Sequence, residues 1–300
     1  MKNNSVVLGV DIGGSHVTVA LVDLQSRSVV ENSLSRTHVN SHGTVNEIIS
    51  SWSDIMRKVI LSSNSGVDKI GIAMPNPVDY ESGISYIKGI DKYDALYGLN
   101  IKELLAEKLH LTPSHIKMKN DAGCFLQGEA YSGAAKNYRD AIGLTIGTGI
   151  GTAKYHNGLA EDADLWHSSF KDSIVEDYIS SRWFVNRYTE LSGHAVKNVK
   201  EIVTLYEKDK SVKKVFDEFA INLTDFLTAF ITLEKPEVVV IGGNIANASD
   251  LFFPAVEQQL AHHAIKLPIR KAMLGEEAAI IGAACCWHDQ KHSTLNSAIF

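Results

Sequence analysis

The chain has 300 residues, 45% of them hydrophobic and 21% charged, which is ordinary globular composition, and a chain of this length tends to split into two cores. A formal net charge of −6 excludes a protein that holds nucleic acid through its overall field, though not one with a local basic groove. No apolar run reads as a signal peptide or a membrane span, so the expected compartment is the cytoplasm.

Strand-like runs open the chain at 6–11, 16–22 and 28–34. A helix follows over about 44–62, where Ile48, Ile49, Trp52, Ile55, Met56 and Val59 recur at helical spacing. "KIGIAMPNPVDYESGISY" reads as a strand, a loop stiffened by Pro75 and Pro77, and a turn at Glu81-Ser82-Gly83. Residues 100–110 form a short amphipathic helix, "IKMKND" is a strand, and a helix follows over about 121–133. "DAIGLTIGTGIGTAKYHNG" starts a second strand block. Beyond it, 173–191, 198–208 and 212–234 read as helices, the last with an apolar stripe of Phe216, Phe219, Leu223, Phe226, Leu227 and Phe230 that core packing explains. Pro236 stops that helix, "EVVVIGGN" is a buried strand, and helices at about 249–264 and 276–290 close the chain. Cys124, Cys285 and Cys286 make no disulfide framework. The last two lie in the apolar run "IIGAACCWH" and read as small core residues.

"VLGVDIGGSHVTVA" aligns without a gap on "AIGLTIGTGIGTAK", so that Gly9 meets Gly143, Ile12 meets Ile146 and Gly13 meets Gly147. Both are strand, glycine turn, strand, about half the chain apart. A plain hairpin accounts for either copy alone. A pair suggests two related halves whose glycine turns let a ligand approach the backbone from two sides, with Asp11 holding a cation that accompanies an anion. The rival phosphate motifs fit less well. A Walker A loop needs Gly-Lys, which the chain lacks, and "GTGIGT" misses the third glycine of a dinucleotide fingerprint. Asn120 and Asp121 stand where a helix begins, and by residue type alone both read as caps.

The succession "DIGGS", "GIAMPNPV", "KNDAGCFLQGEA", "IGTGIGT", "VVVIGGNI" and "LGEEAAIIGAACC", over about residues 6–287, resembles the ROK family of sugar kinases within the actin-like, hexokinase-type ATPase superfamily. That resemblance implies an α/β, two-lobed actin-like (ribonuclease H-like) fold, with a mixed sheet flanked by helices in each lobe and the ligands in the cleft between. The expected lobes are 1–118, joined by a C-terminal helix over about 287–300, and 119–286. It further implies phosphoryl transfer from ATP with Mg²⁺ to a sugar hydroxyl.

On this reading Asp11, Gly13, Gly14 and Ser15 from the first turn and Gly147, Thr148 and Gly149 from the second cradle the donor phosphates, with Asp11 positioning Mg²⁺ through water. Gly242, Gly243 and Asn244 match the family's adenosine turn, although Gly-Gly by itself is a common strand-to-helix turn. Asp121 is the base that deprotonates the sugar hydroxyl, and Asn120 binds the sugar. In the place of the family's G-E-[IL]-G-H stands "ADLWH", so Asp164 and His167 are sugar-binding candidates, and Glu176 of "SIVEDYIS" matches a later glutamate. The alternatives are a solvated Asp164, a surface His167, and Glu176 as a first-turn helix charge. Asp164 is a methylene shorter than glutamate, Trp166 replaces a glycine, and the family's asparagine is missing from "SYIKGIDKYDALYG", so sugar specificity is not inherited. Many ROK proteins hold zinc through a cysteine-rich loop. Here "SSFKDSIV" between His167 and Glu176 has no cysteine, so no structural zinc is expected, as in the branch that uses polyphosphate as well as ATP.

The expected activity is an ATP-dependent kinase of a hexose or hexosamine, resembling glucokinase. The alternatives are a ROK-type sugar-sensing regulator and a catalytically inactive sugar-binding protein. Expected partners are the sugar, the nucleotide and a second copy of the chain, with no nucleic acid and no membrane.

Overall fold

A computed structural model of the chain describes residues 5–63, 66–89 and 92–288. They divide into two compact units. One runs to Ser132 and takes up the chain again from Glu276, and the other is Gly133–Gly275.

The first unit starts with two buried apolar strands, β1 (Val6–Ile12) and β2 (His16–Asp23), paired antiparallel across the turn Gly13-Gly14-Ser15. Short strands β3 (Ser28–Val29) and β4 (Ser35–His38) both pair with β2. The strand expected over 28–34 is interrupted because Asn32 adopts a left-handed φ of 60° and Ser33 turns its hydroxyl back onto the Val30 carbonyl at 2.6 Å. Helix α1 (Val45–Leu61) starts at a capping box, in which Thr44 accepts from the Glu47 amide and Glu47 accepts from the Thr44 amide. It buries Ile48, Ile49, Trp52, Ile55, Met56 and Val59, the face marked by the helical period. β5 (Ile70–Met74) lies parallel to β1. The small hairpin β6 (Val78–Asp79) and β7 (Ile84–Ser85) and the helix α2 (Ile101–Leu109) lead to β8 (Ile116–Asn120), parallel to β5. The sheet order is β3-β2-β1-β5-β8, and α3 (Asp121–Ser132) leaves directly from the end of β8.

The second unit repeats the plan. β9 (Asp140–Ile146) and β10 (Ile150–His156) pair antiparallel across Gly147-Thr148-Gly149, and β11 (Leu159–Asp162) extends the edge. The cysteine-free segment folds as a tight hairpin, β12 (Ser169–Phe170) and β13 (Ser173–Ile174). The single helix expected over 173–191 is instead a short α4 (Val175–Tyr178) and a separate α5 (Ser181–Ser192), because Ser180 is extended and caps α5 through its hydroxyl. α6 (Val199–Thr204) and the long α7 (Lys210–Glu234) follow. The stripe on α7 is fully used, with Phe216 and Phe219 meeting Phe184 and Phe252 in the unit's core. β14 (Val238–Gly242) lies parallel to β9, α8 (Phe253–His262) packs beside α7, and β15 (Ile269–Lys271) pairs with β14. The order β11-β10-β9-β14-β15 mirrors that of the first unit.

The last α-helix among the described residues, α9 (Glu277–Ala284), belongs to the first unit. It is apolar all round and correspondingly buried, packed on β1, β5 and α3. A Cβ on Gly71 would run into the Ala283 carbonyl, and one on Gly282 into that of Cys124, so small residues set this close approach. Because α3 and α9 pack together on this sheet, the divisions fall after Ser132 and Gly275 rather than at 118 and 286. The helix expected over about 287–300 lies outside the described residues from 289 onward. Cys124, Cys285 and Cys286 are free thiols, and burial pushes each up from its ordinary pKa.

Candidate functional site

In the first unit the parallel strands bring their carboxyl ends to one edge. Asp11 pairs with Ala73 and Met74 with Asn120, so Asp11 and the Asn120-Asp121 pair stand at one level of the sheet. That edge is where open α/β sheets bind ligands. Asn120 is the cap of α3, its Oδ1 accepting from the Gly123 amide at 2.9 Å. Asp121, the first helical residue, accepts from the adjacent Ala122 amide at 2.9 Å and from its own amide. The cap therefore does not depend on Asp121, and its carboxylate is available for chemistry. Burial raises the pKa of Asp121, opposed by the Ala122 amide and the charge of Lys92. Asp11 is pushed up to about 7 by burial first and then by the negative charge of Asp121. A buried acid made costlier to ionise by a second acid beside it makes a place where a cation is favoured.

The turn after β1 has Gly13 N–H donating to His16 O at 2.9 Å. Ser15 Oγ lies 2.9 Å from His16 Nδ1, and its carbonyl accepts from Val39 N at 2.8 Å. Neither Gly13 nor Gly14 has the left-handed φ that demands glycine, and a Cβ at either would meet its neighbours at ordinary distances. Lys92 lies over this turn, its Cδ 3.6 Å from where a Gly14 Cβ would stand. Tyr93, buried and left-handed at φ 56°, donates its hydroxyl to the Gly13 carbonyl at 2.6 Å and stacks edge-on against Trp52. Burial pushes the Tyr93 phenol up to about 12, so it stays a donor at any working pH.

The second unit gathers its candidates through backbone hydrogen bonds. The turn after β9 closes with Gly147 N–H donating to Gly149 O at 2.9 Å, and α5 begins on it, Ser181 N–H donating to Gly147 O at 2.7 Å. A Cβ on Gly147 would point into open space, and again no left-handed φ calls for glycine. Gly243 differs: its φ is +83°, and a Cβ there would lie 2.6 Å from the Ile146 amide nitrogen. The Gly242-Gly243-Asn244 turn is thus pressed against the end of β9, next to the glycine turn. Glu176 accepts from the Ile150 amide at 3.2 Å and from the Arg182 guanidinium, while its own amide donates to the Trp166 carbonyl at 3.0 Å. Asp164, left-handed at φ 50°, accepts from Trp166 Nε1 at 3.0 Å and lies 3.7 Å from His167 Nδ1. Trp166 is exposed and its ring tilts against that of His167.

Asp11, Asn120, Asp121 and the first glycine turn thus cluster in one unit, and Gly147, Gly149, Asp164, His167, Glu176 and Gly243 in the other. No contact described here involves the side chain of Thr148 or Asn244. Sequence reading misses Lys92, Tyr93 and Arg182. The only signal for the first two is the departure from the family pattern in "SYIKGIDKYDALYG". A groove of about 600 Å³ beside α5 and α7 holds none of the expected residues, and its cations are already paired, Arg187 with Glu218 and Glu190 and Lys171 with Asn222 and Asp225.

Among the described residues no group of three or more His, Cys, Asp and Glu side chains is arranged to hold a metal ion. A magnesium ion that arrives with a nucleotide needs only one or two carboxylates besides phosphates and water, and Asp11 with its acidic neighbour fits that requirement. Among the same residues no helix is long and apolar enough to cross a membrane.

The family model described as the ROK family matches residues 7–161 and 171–290. The N-acetyl-D-glucosamine kinase of Histophilus somni is 25% identical over 314 residues, covering 92% of this chain and 97% of that one. The structure of a ROK family glucokinase from Streptomyces griseus in complex with glucose and AMPPNP superposes with a TM-score of 0.76 at 18% identity, over 94% of this chain and 98% of that one. A ROK family transcriptional regulator, a homologue of the E. coli MLC protein, superposes at 0.79 with 17% identity, over 93% of this chain and 76% of that one.

Proposed function

The chain belongs to the ROK family, and from that premise we propose that it is a sugar kinase, transferring the γ-phosphoryl group of Mg-ATP to a hydroxyl of a hexose or hexosamine. The observation that carries this reading is the pair of glycine turns. Gly13, Gly14 and Gly147 are not demanded by backbone conformation or by crowding, so the room they leave is best explained by phosphate oxygens approaching the turns, at amides other than those of Gly13 and Gly147, which are bonded to His16 O and Gly149 O. In the first unit Asp121 accepts the proton of the attacking hydroxyl, whose oxygen bonds to the γ-phosphorus as the bond to the bridging oxygen breaks and ADP leaves. A carboxylate raised by burial suits that task near neutral pH. Asp11 orients the magnesium ion, which when bound neutralises phosphate charge, and Asn120 holds the sugar. In the second unit Gly147, Thr148 and Gly149 take donor phosphates, Gly242, Gly243 and Asn244 face the adenosine, and Asp164, His167 and Glu176 fix sugar hydroxyls.

A relative named for N-acetylglucosamine and a structural neighbour holding glucose make those the first two sugars to test. The assay is ADP release with Mg-ATP over a panel of hexoses and hexosamines, repeated with polyphosphate as donor. Turnover with at least one sugar is expected. Sugar binding by calorimetry, with no nucleotide binding and no turnover, would instead favour a sugar-sensing protein or a catalytically inactive sugar-binding protein, and Asp164 and Trp166, both departures from the family pattern, lend weight to the latter.

A further inference from the structure

Glu176 touches more than the sugar reading asks of it. One carboxylate oxygen accepts from the Ile150 amide at 3.2 Å, immediately after the second glycine turn. A Cβ placed on Gly149 would overlap that same oxygen, so the carboxylate lies against the turn. The other oxygen accepts from Arg182. Arg182 reaches it because α5 starts on the turn, with Ser181 N–H bound to the Gly147 carbonyl at 2.7 Å. The Glu176 side chain is only 20% exposed, whereas that of Arg182 is 58% exposed. A carboxylate so withdrawn from water, beside amides that would receive phosphates, repels the ligand unless its charge is balanced.

We propose that Arg182 is a positioning residue with two effects: it holds the Glu176 carboxylate in orientation, and it cancels that charge next to the donor-phosphate turn. This rests on the kinase reading, in which the turn takes donor phosphates and Glu176 a sugar hydroxyl. The pair then links the two ligands within one unit. A guanidinium suits this better than an ammonium, because its planar fork fixes a carboxylate while a lysine supplies only a point charge.

The test compares wild type, Arg182→Ala, Arg182→Lys, Glu176→Gln and the double variant Glu176→Gln/Arg182→Ala. Apparent KM values are measured for Mg-ATP and, separately, for D-glucose and N-acetyl-D-glucosamine. Arg182→Ala is expected to raise KM about tenfold for the sugar, because the Glu176 carboxylate is no longer held, and about threefold to tenfold for Mg-ATP, because its charge is no longer cancelled. Arg182→Lys should restore the Mg-ATP value and leave the sugar value intermediate. The double variant should return KM for Mg-ATP to within about twofold of wild type, because the repelling charge is gone, while KM for the sugar stays high. A purely structural role for Arg182 predicts no such recovery. Unchanged KM values in Arg182→Ala, or a Mg-ATP defect as large in the double variant as in the single one, overturn the proposal while leaving the kinase reading intact. Calorimetric titration of Mg-ATP and each sugar reads the same pattern without turnover. A wild type that binds neither ligand overturns both the proposal and the kinase reading.

Discussion

The two glycine hairpins share one plan and differ in charge. Each joins an inner strand to its antiparallel partner, and each inner strand has a parallel neighbour on its other side. At the tip of β1 stands Asp11, with Asp121 close enough to raise its pKa. The aligned position at the tip of β9 is Thr145, and the acid that approaches that turn, Glu176, comes paired with Arg182. The same backbone device therefore serves opposite electrostatic ends. One turn has two acids beside it, and the other has an acid whose charge Arg182 balances. On the kinase reading, a repeated scaffold would add a metal to one of two phosphate turns in this way, by changing one strand residue and borrowing one side chain from a neighbouring element.

The difference breaks most sharply at Asp121. Asp121→Asn keeps its shape and leaves the cap of α3 on Asn120, so the fold should stand. Turnover should fall by about 10²–10⁴ with sugar affinity roughly kept, as measured by kcat against calorimetric binding. Near-normal turnover would return Asp121 to a structural role at the head of the helix.

Asp11→Asn removes the acidic tip of β1. Turnover should fall by about 10² at fixed Mg²⁺, since metal-assisted charge stabilisation is lost. A second readout needs no substrate. Because Asp11 titrates at about 7 in the folded chain against 3.8 ordinarily, the metal-free folded state binds more protons than the unfolded state between those values. The group's contribution to stability is thus fully present below about pH 4 and is lost as pH rises toward 7. Tm of wild type minus Tm of Asp11→Asn should therefore fall from pH 5 to pH 8 in chelator. A flat difference would show that Asp11 ionises normally.

Gly147→Ala probes the neutral turn. A Cβ there meets nothing, so thermal stability should hold, while donor binding should weaken about tenfold through the lost approach to the amides. Nucleotide affinity equal to wild type would mean that the turn is only a hairpin. The smallest effect is expected from zinc removal. With no cysteine in residues 168–175, a zinc chelator should leave Tm unchanged, and elemental analysis should find less than one zinc per chain.

Much of this organisation is legible in the sequence, for identifiable reasons. The α1 and α7 faces follow from periodicity, and the two hairpins follow from glycines flanked by apolar runs. Both signals are local, and local signals survive in a linear reading. Asn120 and Asp121 are both good capping residues by type, and only the hydrogen bond to Gly123 separates the one that caps from the one that does not. The break at Ser180 is hidden because residues on either side keep helical spacing. Lys92 and Tyr93 escape a linear reading because their meaning lies in approach to Gly13 and Gly14, residues far away in the chain. Arg182 escapes for the same reason, since no spacing rule connects it to the turn after β9.

The seating of α9 bears on how the chain is made. Residues 5–132 leave the ribosome first, yet the face of β1 and β5 that α9 covers lacks its main cover until Glu277–Ala284 have been synthesised. Gly133–Gly275 form a continuous stretch that carries its own core and is complete earlier. Assembly of this protein should run against the order of translation, with the second unit native while the first waits open, its apolar face a client for chaperones. Protease sensitivity of ribosome-held chains, confined to the first unit until α9 emerges, is the signature of that order.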